Sequence, residues 1–387
     1  MHRKLKSAIH GALAGLGLTI GGANLAAAQE VVAAPASPLL GERVVADAGV
    51  ATAGSCGGIW DSVCRAPRMW VKIENPWLQR DVDNDIQLNA FTVGNAIGTT
   101  SLDQNEFHYR PGARVMVGGL IEKCANCDWA LEGGFLGGFH HNKNFYTSNP
   151  PVDNLFGGLL LRTFPDDGNG QAVDGFLQRF DQKVEYSSDL NSAEVNWRHD
   201  YFQDQTLIWL FGLRYVRLDD RFKVSETGIV FNQFENFANS EAFRFTRVEN
   251  NLIGLQIGVD WNSTPYDAGR ANFGFFGRAG VYGNILNAET VFFATDSGIG
   301  PVAQSFDAGR TRVAGVFEGG IQSSFKITDN LLIRGGYQFL WLVNIGLAPD
   351  QRALDFISGD NGRPTSAQDV LYQGPFAGLE WRWGCCR

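Results

Sequence analysis

The sequence predicts an all-β chain: an antiparallel transmembrane β-barrel of about ten strands, with short periplasmic turns and long external loops. Three observations predict it. Large apolar residues alternate with small or polar ones at period two in segment after segment. Several of these segments run ten residues or more, the length that crosses a bilayer, whereas globular strands average about 5–6 residues. The links between them alternate long and short along the chain, as bacterial barrels do.

Composition agrees. The 387 residues include 47 Gly, 28 Phe, 10 Trp and 9 Tyr, while charged residues are only 19%, below the usual quarter of a soluble domain. Beyond the N-terminal stretch no apolar run is long enough for a spanning helix, so a membrane-crossing form must be a closed barrel, because lipid offers no partner to an open sheet edge. The formal net charge is −9, and no basic patch of the kind that holds nucleic acid is visible.

In chain order, residues 1–28 have the pattern of a secretory signal peptide. His2, Arg3, Lys4 and Lys6 precede an apolar stretch from Ala8 to Leu25, and Ala26-Ala27-Ala28 supplies small residues for cleavage before Gln29. Residues 29–68, rich in Ala, Val, Pro and Gly, read as a low-complexity linker. The barrel is expected over 69–383, followed by a short tail at 384–387. Strands are expected at 69–78, 112–123, 128–140 and 183–200, the last changing face near Asn191-Ser192 as a β-bulge would make it do. Then Leu207, Trp209, Phe211, Leu213 and Tyr215 share one face opposite Arg214. Ile253, Leu255, Ile257, Val259 and Trp261 alternate strictly with Gly254, Gln256, Gly258 and Asp260. A further strand is expected at 270–283. Val313, Phe317, Ile321, Phe325 and Ile327 oppose Arg312, Glu318, Gln322 and Lys326; Leu331, Ile333, Tyr337, Phe339, Trp341 and Val343 oppose Arg334 and Gln338; Leu379, Trp381 and Trp383 oppose Glu380 and Arg382. Short links fall at 124–127, 201–205, 262–269 and 328–330, and long polar ones at 79–111, 141–182, 218–243, 284–310 and 344–370. With both termini in the periplasm that arrangement requires ten strands; eight or twelve would need one hairpin fewer or more.

In a barrel the apolar faces meet lipid, and Trp209, Trp261, Trp341, Trp381 and Trp383 supply girdle residues near the headgroups. The aromatics of the final strand also resemble the C-terminal signal read by the barrel-assembly machinery, although Gly384-Cys385-Cys386-Arg387 follows them. Expected partners are therefore outer-membrane lipid and, during insertion, that machinery.

Several stretches together resemble a known family. They are Gly112 to Gly119 (GARVMVGG), Asp128 to Phe135 (DWALEGGF), Ser192 to Trp197 (SAEVNW), Leu210 to Tyr215 (LFGLRY), Asn251 to Gly258 (NLIGLQIG) and Gly335 to Trp341 (GGYQFLW). The chain resembles the putative beta barrel porin family seven, known from planctomycetes, over roughly residues 69–383. The resemblance implies an outer-membrane barrel. It implies no defined substrate or catalytic residue.

The candidate functional residues are the charges on the inward face: Arg214, Arg278, Arg312, Glu318, Arg334, Glu380 and Arg382. In a wide barrel they would line a channel and tune ion selectivity; in a tight ten-stranded one they would pair with one another and fill it, the role favoured here. Six cysteines form three close pairs: Cys56 with Cys64, Cys124 with Cys127, and Cys385 with Cys386. An exported chain makes them disulfide candidates. The last four, on one rim, have the number for tetrahedral zinc, but disulfides between the pairs serve equally, and no metal site or cofactor is predicted. Asp166, Asp167 and Asp174 read as solvated loop acids rather than calcium ligands. His140-His141 and Glu132, with those acids nearby, raise an alternative of an outer-rim hydrolase on the barrel; a soluble secreted β-sandwich that binds a ligand is the other. The expected function is non-enzymatic: a structural outer-membrane component or a narrow pore for small solutes and ions.

Overall fold

The computed structural model describes residues 69–82, 87–93, 96–101, 107–123, 128–148, 176–200, 206–231, 237–263, 269–296, 300–354 and 368–383. The expected signal peptide, linker and C-terminal tail lie outside these residues, as do Asp166, Asp167 and Asp174. The disulfide candidates Cys56, Cys64, Cys124, Cys127, Cys385 and Cys386 also lie outside the described residues.

Ten long strands form one antiparallel sheet that closes on itself. They are β1 (Met69–Val82), β5 (Ala113–Lys123), β6 (Asp128–Ser148), β7 (Phe176–Asp200), β8 (Leu207–Phe231), β9 (Phe237–Asn262), β10 (Ala271–Asp296), β11 (Gly300–Thr328), β12 (Leu331–Ile345) and β13 (Gln368–Trp383). Each pairs with the next, and β13 pairs with β1 from Met69↔Trp383 to Val82↔Val370. A separate hairpin, β2 (Gln87–Val93) and β3 (Ala96–Ser101), and the two-residue β4 (Arg110–Pro111) lie between β1 and β5. A 3₁₀ segment, Ala348–Leu354, lies between β12 and β13. In the lower wall, where each long strand pairs on both sides, closure leaves no unpaired edge, which is what a bilayer demands. It also disposes of the sandwich: Leu255 and Trp381, which a second layer would bury, are 53% and 54% exposed.

The lower part of the wall, next to the short links, obeys the expected alternation. Trp209, Phe211, Leu213, Ile253, Leu255, Ile257, Ile321, Ile333 and Leu379 all point out, and Arg214, Gln256, Glu318, Arg334 and Glu380 point in and are buried. Of the expected girdle residues, Trp209 and Trp381 are exposed at the lower end together with Trp129 and Trp197. Trp261 and Trp383 are half-buried there, and Trp341 sits at the opposite end of its strand.

Two expectations are corrected. The links at 218–243 and 284–310 are mostly strand: β8 and β9 approach one another to Phe231 and Phe237, β10 and β11 to Asp296 and Gly300. β11 alone has 29 residues, a rise of roughly 70 Å at about 3.3 Å per residue and the usual tilt, against an apolar band of about 25 Å. These strands therefore stand well clear of the bilayer. They read as loops because their outward residues are polar there, Arg217, Asp219 and Arg221 on β8 and Arg247 and Glu249 on β9, while most inward ones, such as Val216, Leu218, Phe222, Val248 and Leu252, are apolar. The second correction concerns β7. Its even-numbered residues face inward throughout, from Val184 to Asp200, so it does not change face at Asn191. What changes there is the chemistry of the inward side, from Val184, Tyr186 and Leu190 above to Asn196 and Arg198 below. The register irregularity in this region belongs to β6, between Leu136 and Phe139, where Gly138 has φ +82°, a backbone that favours glycine.

Candidate functional site

The barrel interior is layered. Alternation on β1 brings Trp70, Lys72 and Glu74 inward between Val71, Ile73 and Asn75; on β7 it brings Glu194, Asn196 and Arg198 inward between Val195 and Trp197. With Arg114 on β5, Glu132 on β6 and the predicted charges on β8 to β13, these residues form a belt of ion pairs across the lower lumen.

One chain of contacts runs round and across it. Arg214 Nη1 donates to Glu318 Oε2 at 2.6 Å and its Nε to Ser192 Oγ at 2.8 Å. Glu318 also accepts from Arg114. Arg114 lies 3.7 Å from Glu74, Glu74 lies 3.6 Å from Arg334, and Arg334 donates to Glu380 at 3.0 Å. Glu380 in turn accepts from Arg382. Arg114 and Glu318 belong to β5 and β11, which have three strands between them on one side and five on the other. Their contact therefore bridges the lumen rather than following the wall.

Two further groups complete the belt. Glu132 accepts from Arg198 at 2.8 and 3.0 Å and from the Trp70 indole at 2.9 Å, with Lys72 at 3.5 Å. Arg198 reaches on to Asp260 at 2.9 Å. Arg278 donates to Glu194 at 2.6 Å, and Gln256 donates to both Glu194 and Asn196 at 2.7 Å. Gly118 makes this packing possible, since a Cβ there would sit 2.2 Å from the Trp70 ring. Nearly every charge is matched by an opposite one, as buried charges must be.

Above the belt the lumen is mostly apolar, with a few buried polar groups such as Arg80, Asp220 and Asn250. Leu190, Val216, Leu218, Leu252, Leu342, Ile345 and Leu347 pack into one cluster with Phe139, Tyr282 and Tyr372, and a second cluster joins Val184, Phe222, Val248 and Leu286 to Phe107 and Ala348. The segment after β12 is drawn into this core. Asn250 exchanges two hydrogen bonds with Gly346, at 2.8 and 2.9 Å, and the Ala348 amide donates to Asp220 at 2.9 Å. Asp220 also accepts from Arg80 and Tyr186, both at 3.0 Å.

Of the seven predicted lumen charges, Arg214, Glu318, Arg334, Glu380 and Arg382 lie on the cross-lumen chain and Arg278 on the Glu194 group. Arg312 is inward but half-buried, higher on β11 and opposite Asn284. Sequence reasoning misses Lys72, Glu74, Arg114, Glu194 and Arg198, and it sets Asp260 on the inward face without counting it among the lumen charges. Their signal is the same alternation, on strands whose apolar members are the more conspicuous. Glu132, raised there for catalysis, is a belt residue. The two histidines do not form a joint site. His141 points inward, fully buried, with Nε2 3.0 Å from the Leu78 carbonyl oxygen; His140 points outward and meets Asp189 at 2.7 Å on the outside of the wall. A substrate could not meet both rings in one cleft.

A closed, even-numbered antiparallel barrel with an apolar outer band is the architecture of outer-membrane proteins. The chain belongs to the family described as Putative beta barrel porin-7, whose model matches residues 80–355, and this membership places it in the outer membrane. Solved structures that resemble it include the outer membrane protease OmpT from Escherichia coli, at 9% identity and a TM-score of 0.35, covering 85% of this chain and 100% of that one. Others are the transport unit of the autotransporter AIDA-I from Escherichia coli, at 10% identity, TM-score 0.26, and 84% and 93% coverage, and a Pseudomonas aeruginosa FadL homologue, at 7% identity, TM-score 0.24, and 82% and 90% coverage. A search of the curated proteins finds no match.

Proposed function

We propose that this porin-family barrel is closed to ions at rest and serves as a non-enzymatic, structural component of the outer membrane. The observation that carries the reading is the bridge at Glu318, which takes hydrogen bonds from Arg114 and Arg214 across the lumen. The apolar core above the belt supports it. An ion entering that core would exchange most of its hydration for the side chains of Leu190, Leu218, Leu252 and Leu342. Export by a signal peptide over residues 1–28, insertion by the barrel-assembly machinery and a lipid annulus around the outward apolar band complete the proposal.

The test is conductance of the refolded full chain in planar bilayers, with heat-modifiable gel migration as the check on folding. The wild type is expected to be electrically silent. Steady ohmic current at every voltage, altered by Arg334→Gln, would instead assign the belt to the wall of a narrow solute pore and overturn the closed reading.

A further inference from the structure

Directly above the lipid-facing band, the outside of β8 and β9 carries a compact set of charges. On β8 the outward series runs Leu213, Tyr215, Arg217, Asp219, Arg221; on β9 the partners of Leu213, Tyr215 and Arg217 are Leu255, Ile253 and Asn251. The change from hydrocarbon to charge occurs within four residues, about 13 Å of strand. It therefore falls where acyl chains give way to headgroups.

The arrangement of the charges is not neutral toward a ligand. Arg221 and Arg247 both grip Asp219, with Nη2–Oδ2 distances of 2.7 and 2.8 Å, and Arg217 meets Glu249 at 3.2 Å. Two of the carboxylates lie underneath: side-chain exposure is 5% for Asp219 and 24% for Glu249, against 43%, 40% and 33% for Arg217, Arg221 and Arg247. A third, Asp189 on β7, borders the set 4.0 Å from Arg221 and is 29% exposed. Asp219 takes two hydrogen bonds from each of Arg221 and Arg247 and stands between them as a strut. Arg221 and Arg247 each spend Nε and Nη2 on Asp219, so a neighbouring molecule meets the remaining N–H groups of guanidiniums already fixed in place. Arginine N–H groups held in this way donate to phosphate oxygens. The set ends at β9, where Arg247 faces Glu289 on β10 and Glu289 faces Asp307 on β11.

We infer that Arg217, Arg221 and Arg247 form a binding surface for the phosphate of an anionic bilayer lipid whose acyl chains lie on Leu213 and Leu255. The contiguity of a tail surface and a head surface selects a membrane lipid over a soluble phosphate. The inference requires only that the barrel spans the bilayer. It stands whether or not the lumen conducts.

The experiment uses the refolded full chain in neutral detergent, titrated with phosphatidic acid or with phosphatidylcholine of the same chains, the retained lipid being counted by native mass spectrometry. At least tenfold preferential retention of phosphatidic acid is expected. The triple variant carrying Arg217→Gln, Arg221→Gln and Arg247→Gln should bring the two lipids within about twofold. Because the triple change also frees Asp219, the single variant Arg217→Gln serves as a gentler arm, expected to lose several-fold in retention while keeping heat-modifiable migration. Equal retention of the two lipids by the wild type, or a preference that survives in both variants, would overturn the proposal. So would complete displacement of the lipid by millimolar inorganic phosphate, which would mark the surface as a site for the free ion.

Discussion

The lower and upper halves of this barrel are built from the same strands with opposite rules. Below, Leu213 and Leu255 point outward and Arg214 and Gln256 point inward; a few residues higher on the same two strands, Arg217 and Glu249 point outward and Leu218 and Leu252 inward. The backbone alternation is unbroken through the change, since β8 and β9 keep one register from Leu207↔Trp261 to Phe231↔Phe237. Side chains are sorted by the solvent they meet. Where that solvent is hydrocarbon, greasy residues go outside and the interior is left to ion pairs; where it is water, the barrel acquires an ordinary hydrophobic core.

The comparison makes graded predictions. The largest effect should come from Glu318→Ala, which leaves Arg114 and Arg214 buried without their shared acceptor and is expected to cost about 3–5 kcal/mol in urea unfolding from lipid vesicles. The outer-wall variant Glu249→Ala, removing a partner of the exposed Arg217 and of Arg247, should cost less than about 1 kcal/mol by the same measurement. Equal costs would mean that the belt is hydrated like a surface. Next, Leu218→Ala in the upper core should destabilise by about 2–5 kcal/mol through the cavity it leaves, whereas Leu213→Ala should cost only about 1–2 kcal/mol because mobile acyl chains fill the gap. A similar loss at both sites would place Leu213 in a packed protein environment. Smaller still is the depth dependence of an introduced charge. Phe211→Arg, deeper in the band, should cost about 2–4 kcal/mol and Tyr215→Arg, at the boundary, about 0–1 kcal/mol. A Tyr215→Arg penalty as large as that of Phe211→Arg would push the hydrocarbon edge upward past Arg217.

Much of the lower half is legible in the sequence because lipid imposes a strict rule on it. The set from Trp209 to Tyr215 and the set from Ile253 to Trp261 give both the strand and its outward face, and the inward charges Arg214, Glu318, Arg334 and Glu380 follow from the parity. The upper half is misread for the converse reason. Arg217, Asp219, Arg221 and Arg247 look like loop residues when taken in sequence, and the buried Leu218, Phe222 and Val248 between them look like chance. The expected bulge on β7 has the same origin, since a reader who holds the apolar side outward must flip the strand at Asn191 when the solvent changes. Pairings are beyond reach altogether. That Arg114 and Glu318, 204 residues apart, share a hydrogen bond depends on barrel closure and on which strands stand opposite, which no local pattern encodes.

The account turns on where hydrocarbon ends on the outer wall. Spin labels placed singly at Leu213 and Arg221, in protein reconstituted into vesicles, read it directly through collision with oxygen, which partitions into lipid, and with a water-soluble nickel complex. The label at 213 should collide with oxygen and be shielded from nickel, and the label at 221 should do the reverse. Nickel access at both positions would contradict the account, because the greasy face of β8 would then be meeting water.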